Sequence, residues 1–197
     1  MTTEISESEF VQRVRELLVM LPYDIKVFFE AITDKNLSME ARKVAAGAII
    51  YCLSPSDPIP DSAGILGFVD DVTVVKIALS RLLELGGDEA AEYPKRFSDQ
   101  YDGLDSDLAL IRGYLGENMA WLERRIREQL PNNRYKGKST EEYLTDDEAQ
   151  SFLYTEGLAF TTDYEIDEEE AAKLVSGEAV RQVFRQRKEL EDKRPPS

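Results

Sequence analysis

The turn on which the fold of this chain depends reads YCLSPSDPIPDSAGILGFVDD over residues 51–71. Each of its three prolines removes a backbone donor and restricts the preceding residue, so the segment is expected to hold one fixed conformation. The apolar segments on both sides have helical spacing, and the first is rich in alanine, which permits close packing between helices. The pattern predicts two central helices joined by a Pro/Asp-rich turn.

Four aspartates lie in this turn or directly after it, namely Asp57, Asp61, Asp70 and Asp71. In an architectural interpretation, Asp57 and Asp61 satisfy free backbone donors, and Asp70 or Asp71 caps the following helix. In the alternative, the four carboxylates converge on a divalent cation such as Mg²⁺, which prefers oxygen ligands. Structural capping is the favoured interpretation, because the spacing of the four aspartates matches no ligand loop that we can justify.

Helical periodicity continues on both sides of the turn. A capping box at Ser6 predicts the start of the first helix, Pro22 is suited to open a second, and Ser38 is suited to cap a third. The pair Gly86-Gly87 is expected to end the fourth helix. A long stretch with unbroken apolar spacing near the middle of the chain is expected to form one further helix. The predicted ranges are 7–21, 22–33, 38–53, 70–85 and 105–130.

The C-terminal part of the chain has a different composition. From Ser139 onward it carries 16 acidic and seven basic side chains, so most of the excess negative charge lies there. Helix-start patterns occur at Ser139, Thr145 and Asp167. A short extended piece is predicted within residues 157–166, and a final helix within residues 177–193.

Together these patterns predict an all-α protein. We expect a compact helical bundle over residues 1–133, which contains the hairpin around the Pro/Asp-rich turn. An acidic, mostly helical C-terminal extension is expected over residues 134–197. The hydrophobic fraction of 42% is sufficient for a buried core, so extensive disorder is not expected.

The composition excludes several classes of chemistry. The chain has 197 residues, a formal net charge of −15, no histidine and a single cysteine, Cys52. Without histidine, neither a Ser-His-Asp nor a Cys-His relay can be built. One cysteine cannot form a structural zinc site or an intrachain disulfide. The negative charge opposes binding to nucleic acid. We therefore predict no catalytic residue, no cofactor other than Mg²⁺ in the alternative above, and no nucleic-acid partner.

The sequence also bears on location. A membrane-spanning helix needs about 20 apolar residues, whereas the best run, Val44–Leu53, contains ten. The polar and acidic N-terminus is unlike a signal peptide. We therefore expect a cytoplasmic protein without a spanning segment. Peripheral association with the inner membrane, through the apolar flanks of the turn, stays open as an alternative.

The turn resembles a known family. The order Y-x-x-S-P-x-D-x-I-P-D from Tyr51, followed by G-x-x-D-D from Gly67, is similar to the signature of the YkvA-like family of bacterial proteins, a domain of unknown function numbered 1232. The resemblance covers about residues 38–85. It implies a compact helical hairpin, in some members with predicted membrane association. It implies no agreed activity, substrate or catalytic residue.

These observations leave three hypotheses for function. The favoured one is a non-enzymatic protein-interaction or scaffold module, whose partner is another protein or a second copy of the chain. The first alternative is a divalent-metal-dependent hydrolase that uses Asp57, Asp61, Asp70 and Asp71. The second alternative is a peripheral membrane protein.

Overall fold

The computed structural model describes residues 5–54 and 65–192. Within these ranges the regular secondary structure is helical apart from one short two-stranded hairpin, which confirms the prediction of a compact all-α fold. The helices are α1 Glu7–Thr33, α2 Met39–Leu53, α3 Gly67–Leu85, α4 Gly87–Ala90, α5 Tyr93–Arg96, α6 Ser98–Tyr101, α7 Leu104–Leu115, α8 Glu117–Gln129, α9 Thr140–Thr145, α10 Asp147–Asp163, α11 Glu168–Ala171 and α12 Gly177–Asp192. A 3₁₀ turn spans Leu130–Asn132, and strands β1 Arg134–Tyr135 and β2 Lys138–Ser139 pair antiparallel.

The first helix is longer than predicted. Ser6 caps it as expected, because its hydroxyl accepts from the backbone N–H of Glu9. Pro22 then lies inside α1 and does not open a second helix, so that prediction was wrong. The apolar stripe continues in phase past the proline, from Leu21 to Ile25, and both side chains are buried. Burial of this continuous stripe offsets the cost of about 3 kcal/mol for proline in a helix.

Helix α2 lies at the centre of the fold. Ser38 caps it as predicted, and nearly every side chain from Ala41 to Tyr51 is buried. It packs against α1, α3, α9, α10 and the 3₁₀ turn. The closest approach is at Gly47, where a Cβ atom would overlap the carbonyl group of Leu130. The Nδ2 of Asn133 donates to the carbonyl oxygen of Gly47 over 3.1 Å, which holds the chain after the 3₁₀ turn against α2.

The stretch over residues 105–130 forms two helices, α7 and α8, so the prediction of one helix was wrong. The break is at Gly116, whose φ of 57° is a left-handed conformation that interrupts a helix and that glycine adopts at little cost. Both helices keep an apolar face toward the core, which is why the apolar spacing looked continuous. A change of backbone direction at one glycine leaves no trace in such a pattern.

The C-terminal elements pack on the bundle. Helix α10 runs along α1 and α2 and continues to Asp163, so the extended piece expected within residues 157–166 was a wrong prediction. Gly157 permits this contact, since a Cβ there would meet the ring of Phe29. The helix begins after Asp146, whose carboxylate accepts from two backbone N–H groups, and not at Thr145. The division into two domains at residue 134 stays a prediction.

Candidate functional site

The predicted site is described only in part. Asp57 and Asp61 lie outside the described residues, as do the three prolines of the turn. Asp70 and Asp71 are described, and both are buried in α3. The structure therefore describes two of the four predicted carboxylates, and their positions relative to Asp57 and Asp61 are outside what it describes.

Asp70 and Asp71 do not cap a helix. The sequence predicted that α3 would start at one of them, but α3 starts at Gly67, with Leu66 at the N-cap position. The apolar residues Phe68 and Val69 extend the helix upstream because their side chains pack against the core. Both aspartates therefore lie inside the helix, and the capping interpretation was wrong for this pair.

Asp70 instead joins three helices through its carboxylate. The hydroxyl of Tyr51 in α2 donates to Oδ2 of Asp70 over 2.8 Å. The Nη1 atom of Arg187 in α12 donates to the same oxygen over 2.7 Å. The side chains of Arg187 and Asp70 are 3% and 0% exposed. The guanidinium group of Arg187 also lies 5.4 Å from the ring centroid of Tyr51, within the range of a cation–π contact.

Burial determines the electrostatics of this cluster. Loss of water raises the pKa of Asp70 above its usual value, and the positive charge of Arg187 and the hydrogen bond from Tyr51 act against that rise. A buried carboxylate is costly unless a cation and hydrogen-bond donors surround it. The cluster supplies both at Oδ2, whereas Oδ1 is buried and has no hydrogen-bond partner among the described residues.

Sequence reasoning missed Arg187 as a member of this site. The signal that could have revealed it is its position in α12. Val180 and Phe184 form the buried stripe of that helix, and Arg187 follows Phe184 by three residues, on the same face. A single arginine in phase with an apolar stripe indicates a buried cation, which needs a buried carboxylate as its partner.

A second group of buried charges joins α1, α3 and α7. The Nζ of Lys76 lies 2.8 Å from Oδ2 of Asp24, and both side chains are almost fully buried. Nearby, Nε of Arg13 donates to the buried Asp107 over 2.6 Å. Burial raises the pKa of Asp24 to about 6, although the charge of Lys76 opposes this shift. In this group too, each buried carboxylate is paired with a cation from another helix, so packing between helices accounts for its burial.

A cleft with a volume of about 600 Å³ opens beside the end of α2 and the start of α3. Its described lining includes Cys52, Phe68, Phe160 and Tyr164, with acidic side chains among its other members, and neither Asp70 nor Asp71 is part of that lining. The described part of the chain contains no group of three or more Asp, Glu, Cys or His side chains placed to hold a metal ion. Asp70 and Asp71, the two described carboxylates of the predicted metal site, are 0% and 2% exposed.

A different feature stands out on the surface. Of the five large apolar side chains that the described residues leave exposed, Phe152, Tyr154 and Leu158 lie on α10. Between residues 151 and 162 the only charged residue is Glu156. We use the name α10 face for the exposed residues between positions 151 and 162 of this helix, which are Ser151, Phe152, Tyr154, Thr155, Leu158, Ala159 and Thr162; the same helix also exposes Asp147, Glu148 and Asp163 at its two ends.

The one carboxylate between positions 151 and 162 of α10 is neutralised. Glu156 accepts from the hydroxyl of Tyr135 over 2.9 Å and from Nζ of Lys136 over 2.7 Å. The hydroxyls of Thr155 and Thr162 donate to backbone carbonyl groups one turn earlier, at Ser151 and Leu158. Their polar atoms are therefore already paired, and the α10 face can lose water at a low cost in unsatisfied hydrogen bonds.

None of the helices in the described ranges combines the length and the apolar character needed to cross a bilayer.

The comparisons with known proteins gave one match. Residues 41–77 match the model of a family described as a protein of unknown function (DUF1232). The match begins at the third residue of α2 and ends within α3, so it includes Tyr51 and Asp70 but not Arg187. It confirms the resemblance noted in the sequence for this segment. Neither the curated proteins nor the solved structures gave a match.

Proposed function

We propose that this chain is a non-enzymatic helical scaffold that acts by binding another protein chain. The observation that supports the proposal most directly is the state of the Asp70 carboxylate. It is closed off from solvent and accepts hydrogen bonds from Tyr51 and Arg187. A carboxylate with a buried cation as its partner contributes to the packing of three helices, and it is poorly placed to contact a substrate.

The α10 face supplies the binding surface in this proposal. Phe152, Tyr154 and Leu158 are 39%, 41% and 43% exposed, in a chain of which 32% of the residues are charged. Exposed apolar side chains that cluster on one helix are typical of protein-interaction surfaces. On α1, by contrast, the exposed residues include the charged Glu16, Lys26 and Glu30, with Tyr23 as a single exposed large apolar side chain.

The metal-dependent hydrolase is the main rival. It requires Asp57, Asp61, Asp70 and Asp71 to gather around a cation such as Mg²⁺. A cation bound to either oxygen of Asp70 would lie close to the guanidinium group of Arg187, and the two positive charges would repel each other. Displacement of Arg187 would leave a buried positive charge without its partner, which is costly. The scaffold proposal is favoured for this reason.

A melting experiment separates the two. The melting temperature is measured in millimolar Mg²⁺ or Mn²⁺, with NaCl of matched ionic strength as the control for screening. We expect equal melting temperatures in the metal salt and in NaCl, since the scaffold proposal includes no bound cation. A cation that binds the folded state would instead raise the melting temperature by mass action. A rise in Mn²⁺ that is abolished by Asp70→Asn, and retained by Asp163→Asn on the exposed end of α10, would overturn the scaffold proposal.

The membrane alternative has its own test. Anionic vesicles are mixed with the protein and floated through a density gradient. We expect the protein to stay at the bottom, because a net charge of −15 opposes binding to an anionic surface. Flotation that is lost in the variant Leu158→Glu would show that the α10 face contacts lipid, and the proposal of a protein partner would then fall.

A further inference from the structure

The cleft that Cys52, Phe68, Phe160 and Tyr164 help to line has the size of a small-molecule site, and we call it the α2–α10 cleft. Its volume of about 600 Å³ lies within the range of such sites, which are usually lined by apolar and aromatic side chains with a few polar groups. The described lining comes from the end of α2, the start of α3, the end of α10, the segment after α10, and α11. Parts of the chain that are far apart in sequence therefore form this cleft together.

Three aromatic rings belong to the lining of the α2–α10 cleft. The ring centroid of Tyr164 lies 5.4 Å from that of Phe68, at an interplanar angle of 84°, and 5.9 Å from that of Phe160, at 48°. The hydroxyl of Tyr164 donates to the carbonyl oxygen of Leu18 over 2.8 Å, which fixes the position of this ring. The face of an aromatic ring carries partial negative charge and attracts cations. These rings therefore favour a ligand that combines apolar groups with a positive charge.

The charged side chains of the described lining are all acidic, namely Asp163, Glu165 and Glu170. Glu170 is already paired with Lys173. Within the described residues, the carboxylates of Asp163 and Glu165 have neither a hydrogen bond nor an ion pair. The cleft thus offers two carboxylates, beside its aromatic rings, to a positively charged ligand.

The same lining is poorly suited to other ligands. It comes from residues 44–75 and 139–172, which contain no lysine or arginine that could bind an anion. The hydroxyl of Ser54 donates to the carbonyl oxygen of Ile50 over 2.8 Å, and that of Tyr164 is also used, so neither is available to a neutral polar ligand. In the described part of the chain, no group of three or more Asp, Glu, Cys or His side chains is placed to hold a metal ion.

We infer that the α2–α10 cleft binds a small organic ammonium ion, with its apolar groups against Phe68, Phe160 and Tyr164 and its charge near Asp163 and Glu165. This inference goes beyond the proposed function and does not rest on it, because none of these residues belongs to the α10 face. A free ion is favoured over the headgroup of phosphatidylcholine, since the phosphate group of the lipid would lie near the same carboxylates and be repelled.

The first test is a calorimetric titration of the native chain with choline chloride as the probe. The control ligand is the neutral alcohol in which a carbon atom replaces the nitrogen of choline, so that the shape is kept and the charge is lost. NaCl holds the ionic strength constant. We expect choline to bind about tenfold more tightly than the alcohol. Equal affinities, or no binding of choline, overturn the inference.

The second test locates the ion by removing a ring. Phe160→Leu keeps an apolar side chain in the lining, and it should weaken choline binding by about threefold or more. Phe152→Leu makes the same change on the α10 face, outside the described lining, and should leave the affinity unchanged. Circular dichroism and the melting temperature verify that both variants are folded. Equal affinities of the two variants for choline count against binding in the cleft and overturn the inference.

The third test removes one carboxylate. Glu165 and Glu169 are both exposed, so neither substitution should disturb folding. Glu165→Gln should weaken choline binding by about threefold. Glu169→Gln removes the same charge from α11, outside the described lining, and should have little effect. Equal effects would show that choline responds to the net charge of −15 and not to the α2–α10 cleft, which overturns the inference.

Two competitors test other ligands. MgCl₂ at matched ionic strength should not displace choline, and displacement would show that the site is one for metal ions. Vesicles of phosphatidylcholine should not float the protein, and flotation that free choline abolishes would show that the cleft binds a lipid headgroup. Either result overturns the inference of a free organic ion. The scaffold proposal falls on a different result, a Mn²⁺-dependent rise in melting temperature that Asp70→Asn abolishes, so each outcome identifies the statement that has failed.

Discussion

Nη1 of Arg187 lies 2.7 Å from Oδ2 of Asp70, although 117 residues separate them in the chain. Asp70 belongs to the segment that matches the family, and Arg187 belongs to the last helix, outside that segment. The counter-ion of a buried carboxylate in the family segment is thus supplied by a helix that lies beyond it. Helix α12 is therefore part of the structural core of this chain, even though its sequence is highly charged.

The first prediction concerns this pair. Arg187→Ala leaves the Asp70 carboxylate buried without a cation, and we expect the free energy of unfolding to fall by about 3–5 kcal/mol. Unfolding in urea, followed by circular dichroism, measures this loss. Arg185→Ala removes the same charge from an exposed position of α12 and should change stability by about 0.5 kcal/mol or less.

The pair should also show strong coupling. Asp70→Asn removes the charge that needs a counter-ion, so Arg187→Met should cost less in the Asp70→Asn background than in the native chain. A double-mutant cycle in urea gives the interaction free energy directly. If the costs of the two substitutions simply add, the two side chains are not coupled, and the role assigned to this pair is incorrect.

The second prediction concerns pH and Asp24. Burial raises the pKa of this carboxylate from 3.8 to about 6, so between these values the folded state binds a proton that the unfolded state has lost. The stabilisation that Asp24 contributes is fully present below pH 3.8, and it is lost as the pH rises to about 6 and above. A shift of this size corresponds to about 3 kcal/mol.

Asp24→Asn provides the test, because asparagine does not titrate. The stability of this variant relative to the native chain should rise by up to about 3 kcal/mol between acidic and neutral pH. Comparison of the two chains at each pH cancels the contributions that they share. A difference that is constant with pH would contradict the shifted pKa of Asp24.

The sequence was informative wherever structure is determined locally. Ser6, Ser38 and Ser139 each accept a hydrogen bond from the backbone three residues later, as the capping patterns predicted. Asp167 also caps a helix, although α11 is short. A cap involves residues that are near each other in the chain, so its pattern can be read directly.

The errors arose where tertiary packing decides. Pro22 carries a strong local signal for a helix start, but the continuous buried stripe of α1 outweighs it. At Gly116 the backbone changes direction, although the apolar spacing of the sequence continues without a break. The partner of Asp70 was missed for the same reason, since only the folded chain brings α12 next to α3. Asp24 and Lys76 likewise lie on separate helices, and nothing in either helix predicts their contact.

The last prediction concerns Gly47 and the close contact between α2 and the 3₁₀ turn. Alanine normally stabilises a helix by roughly 0.5–1 kcal/mol relative to glycine. At Gly47, however, a Cβ would overlap the carbonyl oxygen and carbon of Leu130. These are backbone atoms and cannot rotate away, so α2 and the turn must separate. We expect Gly47→Ala to lower the free energy of unfolding by about 3 kcal/mol or more.

Gly113→Ala is the matched control. It lies in α7, and a Cβ there meets only the end of the Ile5 side chain, which can change its rotamer. This variant should be within about 1 kcal/mol of the native chain, since the helical gain offsets the small adjustment. Urea unfolding of both variants, at one temperature and pH, measures the contrast. A Gly47→Ala chain as stable as Gly113→Ala would mean that the backbones of α2 and the 3₁₀ turn are not in direct contact, and that α2 can move away without loss of core packing.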